Sequence, residues 1–267
     1  MQQLSSQSYL SIMPLVKASG MRGHLALVYE VLEGRMDGRV LVDSSENPRT
    51  ALVCSSNGFG FAFGAPDPEV VRGPLEALFM ENRREVYANM FASNAAWVPV
   101  LRDILAPLGA EHLSRLGFEL RGFPPMPEIP TGFQLAPIDA RLAQSILDGT
   151  GTDNFGLDPW FIKIAGGPAA YEKLNLGLAL VSDSTIAAMA GICGLSHEEA
   201  ELEVGTTPAY RGRGLATVVS VAFMHQCRER GLLPAYSCDA ENAASIGVAR
   251  KLGYVPVEEI HGYNLFL

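Results

Sequence analysis

The chain of 267 residues carries only four cysteines, Cys54, Cys193, Cys227 and Cys238, and they are scattered with no C-x-x-C pair. Reduced thiols in a cytosolic protein are the reading this leaves. Long apolar runs are missing too. Nowhere do roughly 18 apolar residues stand together, so no segment has the length of a membrane span. The opening Met-Gln-Gln-Leu-Ser-Ser-Gln-Ser lacks the basic start and apolar core of a signal peptide. A cytoplasmic protein with no membrane partner is therefore expected. Positive charge is also scarce: 20 Lys and Arg face 29 Asp and Glu, giving a net charge of −9 and a pI near 5.1. Such a chain repels polyanions, which speaks against non-specific nucleic-acid binding.

What is there is a globular composition, 48% apolar, long enough for two domains of ordinary size. The segment Gly122-Phe-Pro-Pro-Met-Pro-Glu-Ile-Pro130 suits an extended connector, because proline cannot continue a helix or donate to a central strand. It divides the chain into an N-terminal α/β domain, residues 1–123, and a second domain, residues 131–267.

The second domain reads as a strand from Gly132 and a helix over Ile138 to Leu147. A polar loop follows from Gly149 to Asp158, then a helix opened by Pro159 with Asp158 as its cap. Leu178 to Val181 and Ile186 to Ile192 flank Asp183-Ser184 as a hairpin. Glu201 to Thr207 alternates polar and apolar residues, as a strand does. Leu215, Val218, Val219, Ala222 and Phe223 then mark one buried stripe of a helix ending at Gly231. A strand from Leu233 to Cys238, a helix from Asn242 to Leu252 and a strand from Tyr254 complete it. After two opening helices the first domain shows a related order. Strands at Arg39–Asp43, Ala51–Cys54 and Phe59–Phe63 precede a helix over Glu69–Arg83. A strand at Glu85–Ala88, a helix over Ala95–Leu105 and a strand through Phe118 close it. Arg115-Leu-Gly-Phe118 and Lys251-Leu-Gly-Tyr254 also match, which hints at an internal duplication.

The segment with chemistry is Pro208-Ala-Tyr-Arg-Gly-Arg-Gly-Leu-Ala-Thr217. Its two glycines permit a sharp turn and leave backbone N–H groups uncovered. The first turn of the helix behind them has unpaired donors and a positive dipole end. Together with Arg211 and Arg213 these make a nest for a diphosphate. The first domain has no such loop. After Gly64 come Ala65-Pro-Asp-Pro68, whose prolines lack donors and whose Asp67 repels phosphate.

This loop resembles the Arg/Gln-x-x-Gly-x-Gly/Ala signature of the GNAT superfamily of acetyltransferases, with Arg211, Gly214 and Ala216 in the specified positions. The phrase Asn242-Ala-Ala-Ser followed by Lys251-Leu-Gly-Tyr254 is similar to the later motif of that family. The resemblance covers residues 131–267. Glu201 to Thr217 with Arg230-Gly-Leu-Leu-Pro234 looks like the zwittermicin-resistance type within it. It implies a mixed sheet flanked by helices in the C-terminal half, an α/β (α+β) fold, behind a smaller α/β leading domain, which the matching Leu-Gly phrases would make a degenerate copy. It also implies acetyl-CoA as co-substrate and no metal. Backbone groups of Val204, Gly205 and Thr206 would meet the pantetheine arm, and the amides of Gly212, Arg213, Gly214, Leu215, Ala216 and Thr217 the diphosphate. Asn242 and Ser245 would approach the same molecule.

Acetyl transfer to an amine needs a base, and a carboxylate serves. Glu201 sits where the family often carries it, and Glu203, two residues on, shares its strand face. Many members place a proton-donating tyrosine seven residues after the asparagine; here that position is Ala249. Either another donor serves, with Tyr236, Cys238, Tyr254 and Tyr263 as candidates, or the thiolate leaves without help, as a thiol with a pKa of about 8.5 can. His197-Glu198-Glu199 reads as a solvated turn, since it lacks the second histidine of a zinc helix. His225 reads as packing. Trp160 and Phe161 read as core, with a place beside an acceptor pocket as the alternative. The expected activity is N-acetylation of a small-molecule amine, an antibiotic or metabolite. The alternatives are a non-catalytic acetyl-CoA sensor and a protein or peptide N-terminal acetyltransferase. A homodimer stays open.

Overall fold

The structure, a computed structural model, describes residues 1–82, 87–149, 160–183 and 185–266. The chain opens with β1 (Gln2–Gln3), a 3-10 segment (Ser6–Ile12), α1 (Met13–Ala18) and α2 (Leu25–Leu32). Then follow β2 (Gly38–Val42), β3 (Thr50–Ser55), β4 (Phe59–Gly64), α3 (Pro68–Asn82), β5 (Tyr87–Ala92), α4 (Trp97–Leu105) and β6 (Glu111–Leu120). Beyond the connector come β7 (Gln134–Pro137), α5 (Ala140–Leu147), α6 (Trp160–Ile164), α7 (Pro168–Leu174), β8 (Gly177–Ser182) and β9 (Thr185–Leu195). The last part holds β10 (Glu199–Thr206), α8 (Leu215–Glu229), β11 (Leu233–Ala235), β12 (Ser237–Asp239), α9 (Ala243–Lys251) and β13 (Tyr254–Phe266).

These elements form two compact units: residues 1–119 with 237–243 and 256–267, and residues 120–236 with 244–255. The change of unit after Glu119 falls beside the expected boundary, but the C-terminal half does not stay whole. Strand pairing is the reason. The sheet of the first unit runs β1-β2-β3-β4-β5-β13-β6-β12. Within it β13 pairs antiparallel with β5, Tyr263 opposite Met90, and β12 pairs antiparallel with β6, Ser237 opposite Gly117. The strand after α9 thus lies beside the strand before α4, and the strand after α4 lies beside the strand before α9. The exchange is reciprocal, so a division made along the chain cannot describe it.

Both faces of that sheet are covered. Ala51 and Val53 of β3, with Phe61 and Phe63 of β4, pack with α2 residues such as Val28 and Val31. Leu52 and Cys54, with Ala62, face the other way towards Leu75 of α3 and Leu101 of α4. Strand alternation assigns neighbours in sequence to opposite cores.

The second unit carries the sheet β11-β10-β9-β8-β7. All neighbours are antiparallel except β10 and β11, which run parallel. The helix α8 buries more than the expected stripe: Ser220, Val221, Met224 and Cys227 are buried beside Leu215, Val219, Ala222 and Phe223, while Val218 is only half-buried. The connector reaches α8 through Phe123, whose ring lies under the Arg228 guanidinium at 4.4 Å and meets His225 edge-on at 5.1 Å. His225 Nε2 lies 2.9 Å from the Pro124 carbonyl oxygen, which gives this histidine its packing role.

The order β-β-β-helix runs from β2 to α3 and again from β8 to α8, and each run goes on to a second helix and a closing strand, with one strand (β5) between the helices in the first and two (β11 and β12) in the second. The Leu-Gly phrases, however, are not equivalent. Gly253 ends α9 with φ +88, a left-handed turn that glycine suits. Gly117 lies inside β6, where a Cβ would press on Glu258 and on the backbone of Gly23. The true counterpart of Gly253 is Gly109, which follows α4 with φ +90.

Candidate functional site

The site begins where β10 loses a neighbour. β10 and β11 pair from Glu199–Leu233 to Glu201–Ala235, and no strand continues that edge beside Leu202 to Thr206 among the described residues. On the other edge β10 keeps pairing with β9, except at an irregularity after Glu201. There the partner steps from Gly194 to Ile192 and passes over Cys193. Val204, Gly205 and Thr206 therefore lie on a strand held on one side and open on the other. Thr207 pins its end, donating from Oγ1 to the Ile186 carbonyl at 2.6 Å.

A short turn, Pro208–Tyr210, leads into the glycine loop. Gly212 and Gly214 have φ of +77 and +78, and a Cβ on either would meet nothing within 4 Å. Their requirement is conformational, and the space beside them is empty of protein. The first bond of α8 is donated by Val218 to the Gly214 carbonyl at 3.2 Å. Among the described residues the amides of Gly212, Arg213, Gly214, Leu215, Ala216 and Thr217 have no protein acceptor. Such a row of donors at a helix head fits an anion. Arg211 is tied to the strand, its Nε donating to the Thr206 carbonyl at 3.2 Å. Arg213 lies over the Tyr210 ring at 5.2 Å, and Tyr210 meets Phe133 edge-on. Beside Phe133 opens a cleft of about 840 Å³, with Arg141 of α5 and Asp183 of the β8–β9 turn on its walls. Ser184 lies outside the described residues, as does the polar loop over 150–159, including Asp158 and Pro159. Phe161 is buried in the core against Tyr171.

The two glutamates differ in surroundings. Glu201 is 1% exposed, whereas Glu203 is half-buried. Tyr254 feels the charge of Glu201, and Tyr171 that of Glu203. The residue missed by sequence reasoning is Glu199. It is half-buried at the start of β10, and its carboxyl is pushed up to about 7, first by burial, then by Glu201 and Glu198. The period-two spacing from Glu199 to Glu201 was its only signal. Its apparent membership of a solvated turn hid it.

Asn242, at the foot of α9, is exposed and counts with the first unit. Ser245, half-buried, counts with the second. Its Oγ lies 2.8 Å from the Tyr236 hydroxyl. Ala249 is fully buried.

An open strand edge running into a glycine turn with unclaimed amides defines an anion-holding α/β class. A family model described as GNAT acetyltransferase matches residues 19–263, and the chain belongs to that family. A curated relative, the uncharacterized N-acetyltransferase YdfB of Bacillus subtilis strain 168, is 25% identical over 237 residues and covers 87% of each chain. A GCN5-related N-acetyltransferase-like protein from Streptococcus suis 89/1591 has a similar fold, with a TM-score of 0.73 at 23% identity over 97% of this chain and 98% of that one. So has a tandem GNAT protein from the clavulanic acid biosynthesis pathway, with a TM-score of 0.62 at 13% identity over 99% and 97%. The mixed-sheet fold class expected from sequence is the one observed. No helix among the described residues is long and apolar enough to cross a membrane.

Proposed function

We propose that the chain moves an acetyl group from acetyl-CoA to a primary amine of a small molecule, an antibiotic or metabolite. The observation that carries this reading is the unbroken row of free amides from Gly212 to Thr217 at the end of an open strand edge. The amides and Arg211 would hold the diphosphate, and Val204 to Thr206 would offer backbone groups to the pantetheine arm. When bound, the thioester supplies an activated acyl group. Ser245 would approach it from α9. The resemblance to the zwittermicin-resistance type supports an antibiotic-like acceptor, and nothing in the reaction calls for a metal.

The protein's own work is to orient the two partners and take a proton from the amine. Glu201 is the base in this reading. Because it is sealed from solvent, it needs an outlet, and Glu199, two residues away, titrates in the range that lets it pass a proton on. Glu203 is the second choice. The first unit would take no CoA in this reading, since its Asp67 carboxylate accepts the Glu69 amide at 3.1 Å and would repel a phosphate there.

Calorimetry with acetyl-CoA, followed by thiol release with a panel of small amines, tests the reading. Binding with amine-dependent release is expected. Binding without release by any amine would leave a sensor, for which the alanine at 249 gives room. Release only with peptides would point to an N-terminal acetyltransferase.

A further inference from the structure

An acyl group that leaves a thioester abandons a sulfur anion. A free thiol has a pKa of about 8.5, so near neutrality that anion ends by taking a proton, and a donor held beside it eases the departure. Such a departure presupposes the acyl-CoA reading above. Tyr254 is spent as a donor, because its hydroxyl gives its proton to the Pro234 carbonyl at 2.6 Å and burial raises its pKa. Cys238 and Tyr263 belong to the first unit. Cys227, on α8, is buried and pushed up to about 12.

Tyr236 is placed differently. It is the residue after Ala235, the last partner of β10 on β11, and so stands where the edge of β10 opens. Its ring packs beside Tyr254 at 5.4 Å. Its hydroxyl lies 2.8 Å from Ser245 Oγ and 3.3 Å from the Ser245 carbonyl oxygen. Ser245 and Ala249 are one turn apart on α9 and share a face. The phenol is 2% exposed, while the serine is half-buried. The more acidic hydroxyl is therefore behind and the accessible one in front.

We infer that Tyr236 and Ser245 form a two-hydroxyl relay that protonates the thiolate released when the acyl group leaves. The amine nitrogen bonds to the carbonyl carbon while the C–S bond breaks, its electron pair staying on sulfur. The Ser245 hydroxyl proton goes to sulfur, and the Tyr236 hydroxyl passes its proton to Ser245 Oγ. Water restores the phenol through the same serine once product has left. The proton lost by the amine goes to the glutamates. Ser245 is the catalytic residue of this pair, and Tyr236 supplies and positions the proton.

The relay should act on free coenzyme A as well, since a serine hydroxyl backed by a phenol that donates to it favours the sulfur anion. The test is the ultraviolet absorbance of the thiolate of bound coenzyme A, titrated in the wild type, Ser245→Ala and Tyr236→Phe. In the wild type the bound thiol should ionise below its free value, and each variant should show about tenfold less thiolate at a fixed pH between the two. The same thiolate fraction in all three proteins would overturn the relay. Ser245→Ala changes only a half-buried hydroxyl, so it decides the matter even if Tyr236→Phe folds poorly. A wild type that takes up no coenzyme A would be a separate failure, that of the acyl-CoA reading, and the relay would fall with it.

Discussion

The protein builds the same strand-loop-helix unit twice and finishes it in opposite ways. In the first unit β4 runs through Gly64 to Asp67 into α3, and β4 pairs parallel with β5 from Phe59 to Ala62. There the helix head is filled from within: the Asp67 carboxylate takes the Glu69 amide and the Asp67 carbonyl that of Val70, ahead of the first regular helical bond from Val71. In the second unit β10 runs through the glycine turn into α8, parallel pairing with β11 stops at Glu201, and the corresponding amides stay open. One architecture, with its donors consumed, is scaffold. With its donors left over, it offers an anion a row of unpaired amides. The fold alone does not separate the two cases; the account of unpaired backbone groups does.

Paired glycine substitutions probe this contrast most strongly. Gly64 has φ +79, and a Cβ there would drive into the Arg49 carbonyl. Gly64→Val should cost about 3 kcal/mol or more, seen as a large fall in melting temperature. Gly214 has a similar φ but open space around it. Gly214→Val should cost only about 1–2 kcal/mol of stability, yet weaken acetyl-CoA binding on the order of 100-fold by calorimetry, because the turn that aims the amides cannot form without strain. Should a folded Gly214→Val protein bind acetyl-CoA normally, the open loop is not the donor site. A milder change, Asp67→Asn, should leave the stoichiometry at a single CoA per chain.

Much of this was legible beforehand, and the exceptions have physical causes. Period-two and period-3.6 patterns located β3, β4, α4, β10 and α8 within a few residues, since each buries a face that its own spacing defines. The exchange of β12 and β13 was not legible, because a strand carries no local mark of which distant strand it will pair with. α7 has ordinary helix boundaries, Pro168 at its first turn and Asn175, with φ +50, just past its end, but its 7 residues are too few to show a helical period. The turn at Gly212 and Gly214 was readable because two glycines mark its left-handed backbone locally. Glu199 was not, since its raised pKa comes from burial and charges that only the folded sheet brings together.

That carboxyl sharpens the contrast through pH. A group whose folded pKa is raised holds its proton more tightly in the native state than in the unfolded chain. Stability should therefore fall as pH climbs from the ordinary 4.5 towards about 7, then level off. Glu199→Gln should lack this fall and be more stable than the wild type at pH 8 by about 1 kcal/mol, allowing for partial exposure. Melting curves across pH 5 to 8 read this directly, as roughly a few degrees for a chain of this size. If Glu199 also carries the amine's proton away, wild-type turnover should rise through neutral pH while the variant's profile flattens. Parallel melting curves for the two proteins would show that Glu199 is ordinary.

The smallest expected effect concerns the arginines. Both flank the open loop, but their own contacts already hold them differently: Arg211 by a backbone carbonyl at 3.2 Å, Arg213 by the half-buried Tyr210 ring at 5.2 Å. A bond to the end of β10 couples Arg211 to the strand edge as well as to the loop, so Arg211→Ala should weaken acetyl-CoA binding by about 10-fold. Arg213 contributes charge at a solvent-facing position, where screening is strong, and Arg213→Ala should cost only about 2–3-fold. The two should also respond to salt differently. Raising ionic strength should erase most of the Arg213 effect and spare part of the Arg211 effect, because the geometric share of the latter is not screened. Equal losses with equal salt dependence would mean that both act as simple point charges and that the tie to Thr206 does not shape the site.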